Sequence, residues 1–444
     1  MAPSASLIVL SAVAALVGIA VYLPMQRTKT LLEGPALVEN FGMEKCQRVS
    51  GPSFCDDVRI QRNLNLGFLA CDPSLPYRNF AASVFDESKM KENGALWVYD
   101  MTKPGSPAEK LTIKNFDGPF HPSGITFAPV SADGTPARVV IMVVNHVPLE
   151  IPRVEVLYYY PARKSLVYKK TISSEYFIAA NKIAATESEM VHPNDDTPSF
   201  FLTNDHGYNI TDWKRDYEEK YNLPASSMVY YNARADKAQE VGWRFQMPQA
   251  LVSADDSESV WISQAKAGTL DLYKSHMLSE EHQQEEVISA DTRRRLKITW
   301  PGMMNEDTLN TKSVNVGVDY DPIAKSLVAL SHAKYNNYLQ VAKEKLADKD
   351  AKPSVQSGFV VSKAVMYPVR VGETRPKPQK DMVFDPEERP RRYRLQYFVE
   401  PRISHDGSEF GSPSAVAVLG GKDGAADRVL VSSHYESGFL DCSF

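Results

Sequence analysis

The chain has 444 residues, of which 43% are hydrophobic and 24% are charged, and its formal net charge is -5. A chain of this length and composition buries a large core, as globular proteins do. The mildly acidic balance argues against a general nucleic-acid-binding protein, because such proteins need clustered Lys and Arg to displace the counterions of the phosphates.

An uninterrupted apolar run, Leu7 to Leu23, lies close to the start of the sequence. It is short for a membrane-spanning helix and long for the core of a signal peptide. Arg27 and Lys29 follow the run and no basic residue precedes it, which favours a cytoplasmic C-terminal side. Four cysteines and a glycosylation acceptor sequence at Asn209 favour the secretory pathway instead. We therefore expect residues 1–29 to be a signal peptide or membrane anchor of a secreted or membrane-anchored protein.

From about residue 45 onward, short runs rich in Val, Tyr, Phe and Ile recur between Gly, Pro, Asp and Asn, as strands do. The candidate strands are, in chain order, Ala95–Asp100, Arg138–Asn145, Arg153–Tyr160, Ser165–Ile172, Ser199–Asn204, Met228–Asn232, Val260–Gln264, Thr269–Lys274, Ser326–Ser331 and Arg428–His434. No low-complexity linker divides the chain, so we predict a single all-β domain over residues 30–444. A β-propeller fits best, because radial repetition leaves few exposed sheet edges. No strict repeat is visible, so the pattern does not give the number of blades.

Three segments interrupt this strand pattern. Residues 208–225 and 274–296 are charged and helical in character, which predicts insertions over one face of the domain. Residues 368–396 contain several prolines and many charges, and we predict a long exposed loop. Loops of this length are usually functional or mobile.

The adjacent carboxylates of Asp56 and Asp57 stand between apolar residues near the start of the domain. Adjacent acids are costly to bury unless a cation or hydrogen-bond donors neutralise them. Consecutive side chains of a strand point to opposite sides, so the two acids are expected to serve two different sites. The alternative is an exposed acidic turn.

The cysteines leave several pairings open. Cys46 and Cys442 bracket almost the whole domain, and in a ring-shaped fold the first and last strands share a blade. A bond between them would remove much of the loop entropy of the unfolded chain. Cys55 and Cys71 could pair with each other, and the alternative is four free thiols in a reducing compartment. The cysteine spacing does not suggest zinc.

A series of short motifs is spread over roughly residues 40–444. The motifs are, in chain order, Cys46, Cys55–Ile60, His121–Ile125, Val143–His146, Ala180–Ile183, Phe201–His206, Ser313–Val316 and Leu440–Cys442. In this order they resemble the serum paraoxonase/arylesterase family, whose members are six-bladed β-propellers with calcium in a central tunnel. The resemblance implies this fold, with helical insertions and an N-terminal apolar helix, and a ring-closing disulfide between Cys46 and Cys442.

The resemblance also implies one catalytic calcium ion, held by acidic and amide side chains of the inner strands. The residues at the matching positions are Asp56, which replaces a glutamate, Asn181 and Asn315, which match asparagines, and Gln249, which stands near another asparagine. Oxygen donors from separate blades suit calcium, which takes six to eight hard ligands. The family has an aspartate directly before the Asn315 position, where this chain has Val314, so we expect a weaker affinity for calcium.

The second, structural calcium of the family uses an aspartate where this chain has Lys182. An ammonium group at that position would repel a cation and could occupy the vacated site. We therefore expect the second calcium to be absent and Asp57 to form a buried ion pair with Lys182.

The proposed general bases of the family are two histidines. Here Ser123 stands at the first position, with His121 two residues earlier, and His146 keeps the second. Residues two apart in a strand share a face, so His121 can reach the same side as Ser123. A neutral His146 could deprotonate a calcium-bound water; the alternative is a histidine that is hydrogen-bonded within a packed strand. His206 and His332 also match family positions, and we expect both to be structural.

These residues imply a calcium-dependent hydrolase of aryl esters or lactones, acting on small apolar substrates. One alternative is a propeller enzyme that catalyses an isomerisation or cyclisation without calcium, with polar groups anchoring a small ligand. Another is a non-enzymatic, membrane-tethered binding module that uses residues 368–396 as its contact surface. Stoichiometric calcium in the purified protein would favour hydrolysis.

Overall fold

The computed structural model describes residues 26, 28–35, 37–129, 136–186, 192, 194–254, 259–275, 303–370, 393–421 and 425–444. This part of the chain folds into six sheets around a common axis, antiparallel except where the short β6 pairs parallel with β10, which confirms the predicted six-bladed β-propeller. The apolar run Leu7–Leu23 lies outside the described residues. Within the described ranges, no helix has the length and apolar character needed to cross a membrane.

The strands and helices follow the punctuation of the sequence. The described strands are β1 Cys46–Ser53, β2 Cys55–Gln61, β3 Leu66–Cys71, β4 Ala95–Asp100, β5 Glu109–Lys110, β6 Ile113–Lys114, β7 Pro122–Phe127, β8 Val139–Asn145, β9 Arg153–Tyr160, β10 Ser165–Ile172, β11 Ala180–Ala185, β12 Phe200–Asn204, β13 Ser226–Asn232, β14 Lys237–Phe245, β15 Pro248–Ser253, β16 Ser259–Gln264, β17 Thr269–Ser275, β18 Met303–Asn310, β19 Val314–Asp321, β20 Ser326–His332, β21 Phe359–Arg370, β22 Tyr393–His405, β23 Pro413–Leu419, β24 Arg428–Ser433 and β25 Ser437–Ser443. The helices are α1 Lys214–Tyr221 and α2 Tyr335–Ala347. Short 3-10 helices span Met43–Lys45, Arg62–Leu64, Leu75–Tyr77, Phe80–Ala82, Glu87–Lys89 and Pro161–Arg163.

The strands are grouped into blades in chain order. Blade 1 contains β2 to β5, and blade 2 contains β7 to β10 with β6 at its outer edge. Blades 3, 4 and 5 contain β11 to β14, β15 to β18 and β19 to β22. Blade 6 combines β23, β24 and β25 with β1. The inner strands β2, β7, β11, β15, β19 and β23 contact one another around the axis, so their side chains decide what the axis contains.

The hydrophobic core lies between the blades. One cluster of buried apolar side chains fills the space between each pair of adjacent blades. A further cluster packs α2 against Val84 and Tyr435, which places this helix over one end of the axis. Because each blade buries both of its faces, the stability of every blade depends on its two neighbours.

The ring closes where the two ends of the domain meet. Strand β1 pairs antiparallel with β25, and Cys46 stands opposite Cys442 in the register. These two cysteines form a disulfide, which confirms the pairing that the resemblance implied. Cys55 and Cys71 form a second disulfide across β2 and β3, a pairing that the sequence left open. The described residues contain no free cysteine.

The strand predictions are confirmed for the middle and outer parts of the blades. All the candidate runs coincide with β4, β8, β9, β10, β12, β13, β16, β17, β20 and β24 to within two residues at each end. Helix α1 lies inside the predicted helical segment 208–225, whereas residues 276–302 lie outside the described residues. The loop prediction for 368–396 was wrong at both ends, because Pro368 pairs with Leu395 in the long β21–β22 hairpin.

One end of the axis is filled by an arginine from blade 1. The buried guanidinium of Arg59 contacts Asp319 Oδ1 of blade 5 at 3.2 Å and donates to the Leu251 carbonyl of blade 4 at 2.8 Å. Its Nε lies 3.6 Å from Asp57 Oδ2. The side chain therefore spans the channel, and a ligand site belongs at the opposite end, where the inner strands begin.

We expect the ring-closing disulfide to stabilise the fold more than the second disulfide does. Its cysteines are 396 residues apart, against 16 for the Cys55–Cys71 pair. The chain-entropy model gives about 6 and about 3 kcal/mol for loops of these lengths. Urea unfolding of the two double Cys→Ala variants measures both losses. An equal or greater loss for the Cys55/Cys71 variant would contradict the expectation.

Candidate active site at one end of the propeller axis

All six inner strands carry a polar residue at the same place. Each shifts its register close to its start, which marks a β-bulge. The second residues of these strands are Asp56, Ser123, Asn181, Gln249, Asn315 and Ser414, one from each blade, and we call them the axial ring. Bulges re-aim side chains and are common beside active sites. The ring contains the four expected calcium ligands and Ser123; sequence reasoning missed Ser414.

A second set of residues lies beside the axial ring. The second strand of each blade runs antiparallel to the inner strand, so it ends where the inner strand starts. The residues directly after these second strands are Asp72, His146, Asp205, Ala265, Ala333 and His434. The four titratable ones are buried. Sequence reasoning found only His146. The ends of the predicted strands Ser199–Asn204 and Arg428–His434 were the signal that could have found Asp205 and His434, whereas the strand before Asp72 was not predicted.

The carboxylates of Asp56 and Asp57 share one cation. Lys182 Nζ lies 2.9 Å from Asp56 Oδ1 and 4.0 Å from Asp57 Oδ1, so its closer partner is Asp56 rather than the expected Asp57. The expectation that the two acids serve different sites fails because the bulge at Asp56 breaks the strand alternation. Burial would raise the pKa of Asp56, but the Lys182 ammonium and the His434 ring hold it well below its ordinary value.

Asp57 also joins two blades. Its Oδ1 accepts from the backbone N–H of Val58 at 3.0 Å, and its Oδ2 accepts from the N–H of Ile125 at 2.8 Å. The second of these bonds runs from blade 1 to blade 2. Asp57 thus fixes β2 against β7, next to Ser123.

Ser123 and His146 contact each other. The Ser123 hydroxyl donates to the Asn181 carbonyl oxygen at 3.0 Å, and its Oγ lies 3.1 Å from His146 Nε2, which donates or accepts according to the tautomer of the ring. A Cβ on Gly124 would meet the Asn181 oxygen at 2.5 Å, so only glycine lets β7 approach β11 this closely. Burial, with a contribution from Arg78, lowers the pKa of His146 to about 3, so its ring is neutral at pH 7.

His121 serves a different partner from His146. Its Nδ1 lies 3.0 Å from Asp72 Oδ2, and the same carboxylate oxygen accepts from Arg78 Nε at 2.6 Å. Arg78 Nη2 donates to the carbonyl of Pro122 at 2.9 Å. Arg78 is only 1% exposed, and its Nη1 has no hydrogen-bond partner among the described residues. The expected cooperation of His121 with Ser123 is thus replaced by a buried pair of Asp72 and Arg78.

Helix α1 is tied to the axial ring by a buried charge cluster. His206 lies between Asp205, at 2.8 Å from its Nδ1, and Glu219 of α1, which contacts its Nε2. Burial would lower the pKa of His206, but these carboxylates raise it above its ordinary value. Asp205 Oδ2 accepts from Gln249 Nε2 of the ring at 3.4 Å. The expected glycosylation residue Asn209 lies half-buried in the loop that leads into α1.

The end of the axis is covered by α2 and the 3-10 helices that follow β3. Asn79 Nδ2 lies 2.6 Å from the hydroxyls of both Tyr338 and Tyr435. The Tyr338 hydroxyl lies 2.9 Å from His434 Nδ1, and His434 Nε2 lies 3.6 Å from Asp56 Oδ1. A chain of polar contacts therefore leads from the cover to the axial ring.

The side chains of the axial ring offer carboxylate and amide oxygens, which are the kinds of ligand that calcium takes. Asn181 Nδ2 donates to Gln249 Oε1 at 3.2 Å, so these two amides are adjacent across blades 3 and 4. Asn315 Nδ2 donates to Thr311 Oγ1 at 2.6 Å, which orients that amide. The one carboxylate, Asp56, already faces an ammonium group, which lowers the charge available to a cation. The described ranges contain no group of three or more His, Cys, Asp or Glu side chains suited to a metal.

A cavity of about 820 Å³ opens between blades 4 and 5. Its wall includes Asn315 of the axial ring, His332, and apolar residues of the segment that precedes β1, such as Leu31 and Val38. The His332 ring is buried and packs on Tyr338 with their centroids 4.2 Å apart. Cavities of this size hold small organic molecules.

We expect loss of Lys182 to destabilise the protein strongly. Its side chain is 2% exposed, and Lys182→Met leaves Asp56 without its cation, which costs about 3–5 kcal/mol. The matched control is Lys164→Met, which breaks the exposed Lys164–Glu109 pair and costs at most about 1 kcal/mol. Urea unfolding measures both variants, and equal small losses would contradict a buried ion pair.

The comparisons with known proteins agree with this geometry. The arylesterase family model matches residues 85–343. Serum paraoxonase/arylesterase 1 of Mus musculus is 32% identical over 239 residues, which cover 53% of this chain and 60% of the relative. Its Rattus norvegicus counterpart is 31% identical over 196 residues, 43% of this chain and 49% of that protein. Serum paraoxonase/arylesterase 2 of Homo sapiens is 27% identical over 270 residues, with coverages of 59% and 68%.

Solved structures add little to these relatives. A luciferin-regenerating enzyme aligns with a TM-score of 0.40 and 8% identity over 90% of this chain and 94% of that one, a likeness too low to carry an argument. The match to this chain spans only 60% and 49% of the two rodent relatives. The family model, however, covers more than half of the chain. The chain is a divergent member of the arylesterase family.

Proposed function

We propose that the protein hydrolyses small apolar aryl esters or lactones with the help of one calcium ion. The observation that carries this proposal is the axial ring, which brings amide and carboxylate oxygens of four blades to the same end of the axis as the Ser123–His146 pair. The family supports the reaction class, since its curated members are named paraoxonases and arylesterases. The cavity beside Asn315 is large enough for a small organic molecule, but its lining includes neither Ser123 nor His146.

The calcium ion would be held by the side-chain oxygens of four axial-ring residues, Asp56, Asn181, Gln249 and Asn315. When bound there, it would polarise the substrate carbonyl as a Lewis acid. We propose that the second calcium is not used, because the Lys182 ammonium stands beside both Asp56 and Asp57.

The protein's own groups supply the proton transfer. His146 is neutral and buried, and its Nε2 lies 3.1 Å from Ser123 Oγ. In the tautomer that carries its proton on Nδ1, Nε2 can take the proton of an oxygen that attacks the carbonyl at this point. Phe80 packs on the His146 ring with their centroids 4.6 Å apart, which keeps bulk water from the imidazole. His121 acts through Asp72 and Arg78, as a positioning residue.

We propose a location in the secretory pathway. Two disulfides among the described residues support an oxidising compartment, and the relatives are named as serum proteins. In this proposal the apolar run at residues 7–23 directs or tethers the chain to a membrane, and Asn209 carries a glycan.

Hydrolysis of phenyl acetate and of a medium-chain lactone should depend on calcium. We expect a chelator to lower the rate by about a hundredfold or more, because a metal ion contributes several kcal/mol to stabilising the transition state. Added calcium should restore the rate, and calorimetry should give one ion bound per chain. No turnover of either substrate, or turnover that ignores the chelator, would contradict the proposal.

The rate of ester hydrolysis should be unchanged at mildly acidic pH. A general base works in its neutral form, so activity is lost as the pH falls through the pKa of the base. Because the pKa of His146 is lowered to about 3, we expect kcat/KM to stay level from pH 7 to about 4.5. His146→Gln should lower kcat by about a hundredfold or more at pH 7. An inflection near 6.5, the ordinary pKa of histidine, would show that His146 in this environment is not the base.

A further inference from the structure

We propose that Ser123 is a nucleophile. The acyl group of the substrate becomes an ester of Ser123 Oγ, and water then hydrolyses this ester. This inference rests on the proposed function and deepens it, because it names the oxygen that attacks the carbonyl. Ser123 takes the place of a family histidine, so the inference concerns this chain rather than the family.

The first observation is the geometry of Ser123 and His146. The two side chains are within hydrogen-bond distance, at 3.1 Å between Oγ and Nε2. The backbone N–H of His146 donates to the His121 carbonyl at 3.0 Å, and Phe80 packs on the ring, so the imidazole is held in place. A nucleophile beside a fixed base is the arrangement that activates a serine hydroxyl.

The second observation comes from the matching position in blade 6. Ser414 is also the second residue of its inner strand, and a histidine, His434, also follows the second strand of that blade. Ser414 Oγ, however, contacts the Cys55 carbonyl at 2.6 Å and Ser432 Oγ at 2.8 Å. His434 contacts Tyr338 and Asp56. The fold thus places serine and histidine together twice, and those in blade 2 form the hydrogen-bonded pair.

The third observation is a guanidinium nitrogen of Arg78 that has no partner in the described part of the chain, whereas the other nitrogens bind Asp72 and the residue before Ser123. Arg78 Nη2 donates to the carbonyl of Pro122, the residue directly before Ser123. Arg78 Nε is bound to Asp72, and its buried Nη1 has no partner among the described residues. A buried guanidinium nitrogen that lacks an acceptor is costly, and a developing oxyanion would satisfy it. We assign Arg78 Nη1 as the donor to the substrate's carbonyl oxygen.

The chemistry balances within these groups and water. The Ser123 proton moves to His146 Nε2 as Oγ bonds to the carbonyl carbon. The bond from that carbon to the leaving oxygen then breaks, and His146 returns the proton to the departing alcohol or phenol. Water attacks the acyl group in the same way, which frees the acid and restores the hydroxyl. Both side chains are buried in the resting structure, so the residues that cover them must move when substrate enters.

The experiment is acid quench of the full chain during turnover of phenyl acetate, followed by intact mass and peptide mapping. We expect one acetyl group on the peptide that contains Ser123. Ser123→Ala should lose both this adduct and at least about a thousandfold in kcat. The matched control Ser326→Ala should keep both, since this buried hydroxyl lies at the opposite end of its blade and donates to Asp427. Ser123→Cys should still be acylated, because a thiol also attacks esters.

The outcomes separate this inference from the proposed function. If the wild-type protein turns over phenyl acetate without an acetyl adduct, and folded Ser123→Ala stays within tenfold of it, the inference is overturned and the hydrolase remains. If neither phenyl acetate nor the lactone is hydrolysed, both fail together. Thermal unfolding of Ser123→Ala checks its fold; should it not fold, the adduct on the wild-type peptide decides.

Discussion

The closure of the propeller by β1 and β25 is the constraint on which the rest of the structure depends. A six-membered axial ring exists only if the first and last strands of the domain, 396 residues apart at their disulfide, share a blade. Each blade buries its faces against two neighbours, so an open ring would expose apolar surface at both ends. Pairing of the two termini therefore holds together both the core and the polar axis.

The acidic side chains at the site end of the axis are balanced by basic side chains of the protein. Asp57 and Asp72 are buried at the site end and Asp56 is partly buried, and Lys182 and Arg78 neutralise them. Buried acids remain ionised only with such partners. In this chain the Lys182 ammonium supplies part of the positive charge at the site. The Asp56 carboxylate is therefore shared between this ammonium group and any cation that binds. The site is consequently less anionic than one built on several free carboxylates.

The sequence predicted the outer parts of the blades better than the inner strands. Runs such as those of β8 and β9 are rich in Val and Tyr, and they pack between neighbouring sheets. The inner strands begin instead with Pro–Ser, Pro–Gln, Cys–Asp or similar pairs, which lack the composition of a strand because these residues face one another at the axis. Family resemblance located five of the six ring residues and missed Ser414; local composition located none.

Contacts between distant segments could not be predicted. From the sequence, Lys182 was expected to pair with Asp57, because regular strand alternation was assumed. The bulge at the start of β2 breaks this alternation, and Asp56 lies closer to the ammonium group than Asp57 does. Arg78 was not noticed, because it lies in an irregular segment whose path over the site depends on α2 and Asn79. Asp72 and His434 become site residues only through the symmetry of the blades.

The arginine that spans the far end of the channel limits the routes by which a ligand can reach and leave the site. Arg59 reaches from blade 1 to blades 4 and 5, so its side chain blocks the axis at the end away from the axial ring. A substrate of the proposed site would therefore have to arrive and depart on the side of α2 and the 3-10 helices. Product would have to leave by that route before the next molecule binds.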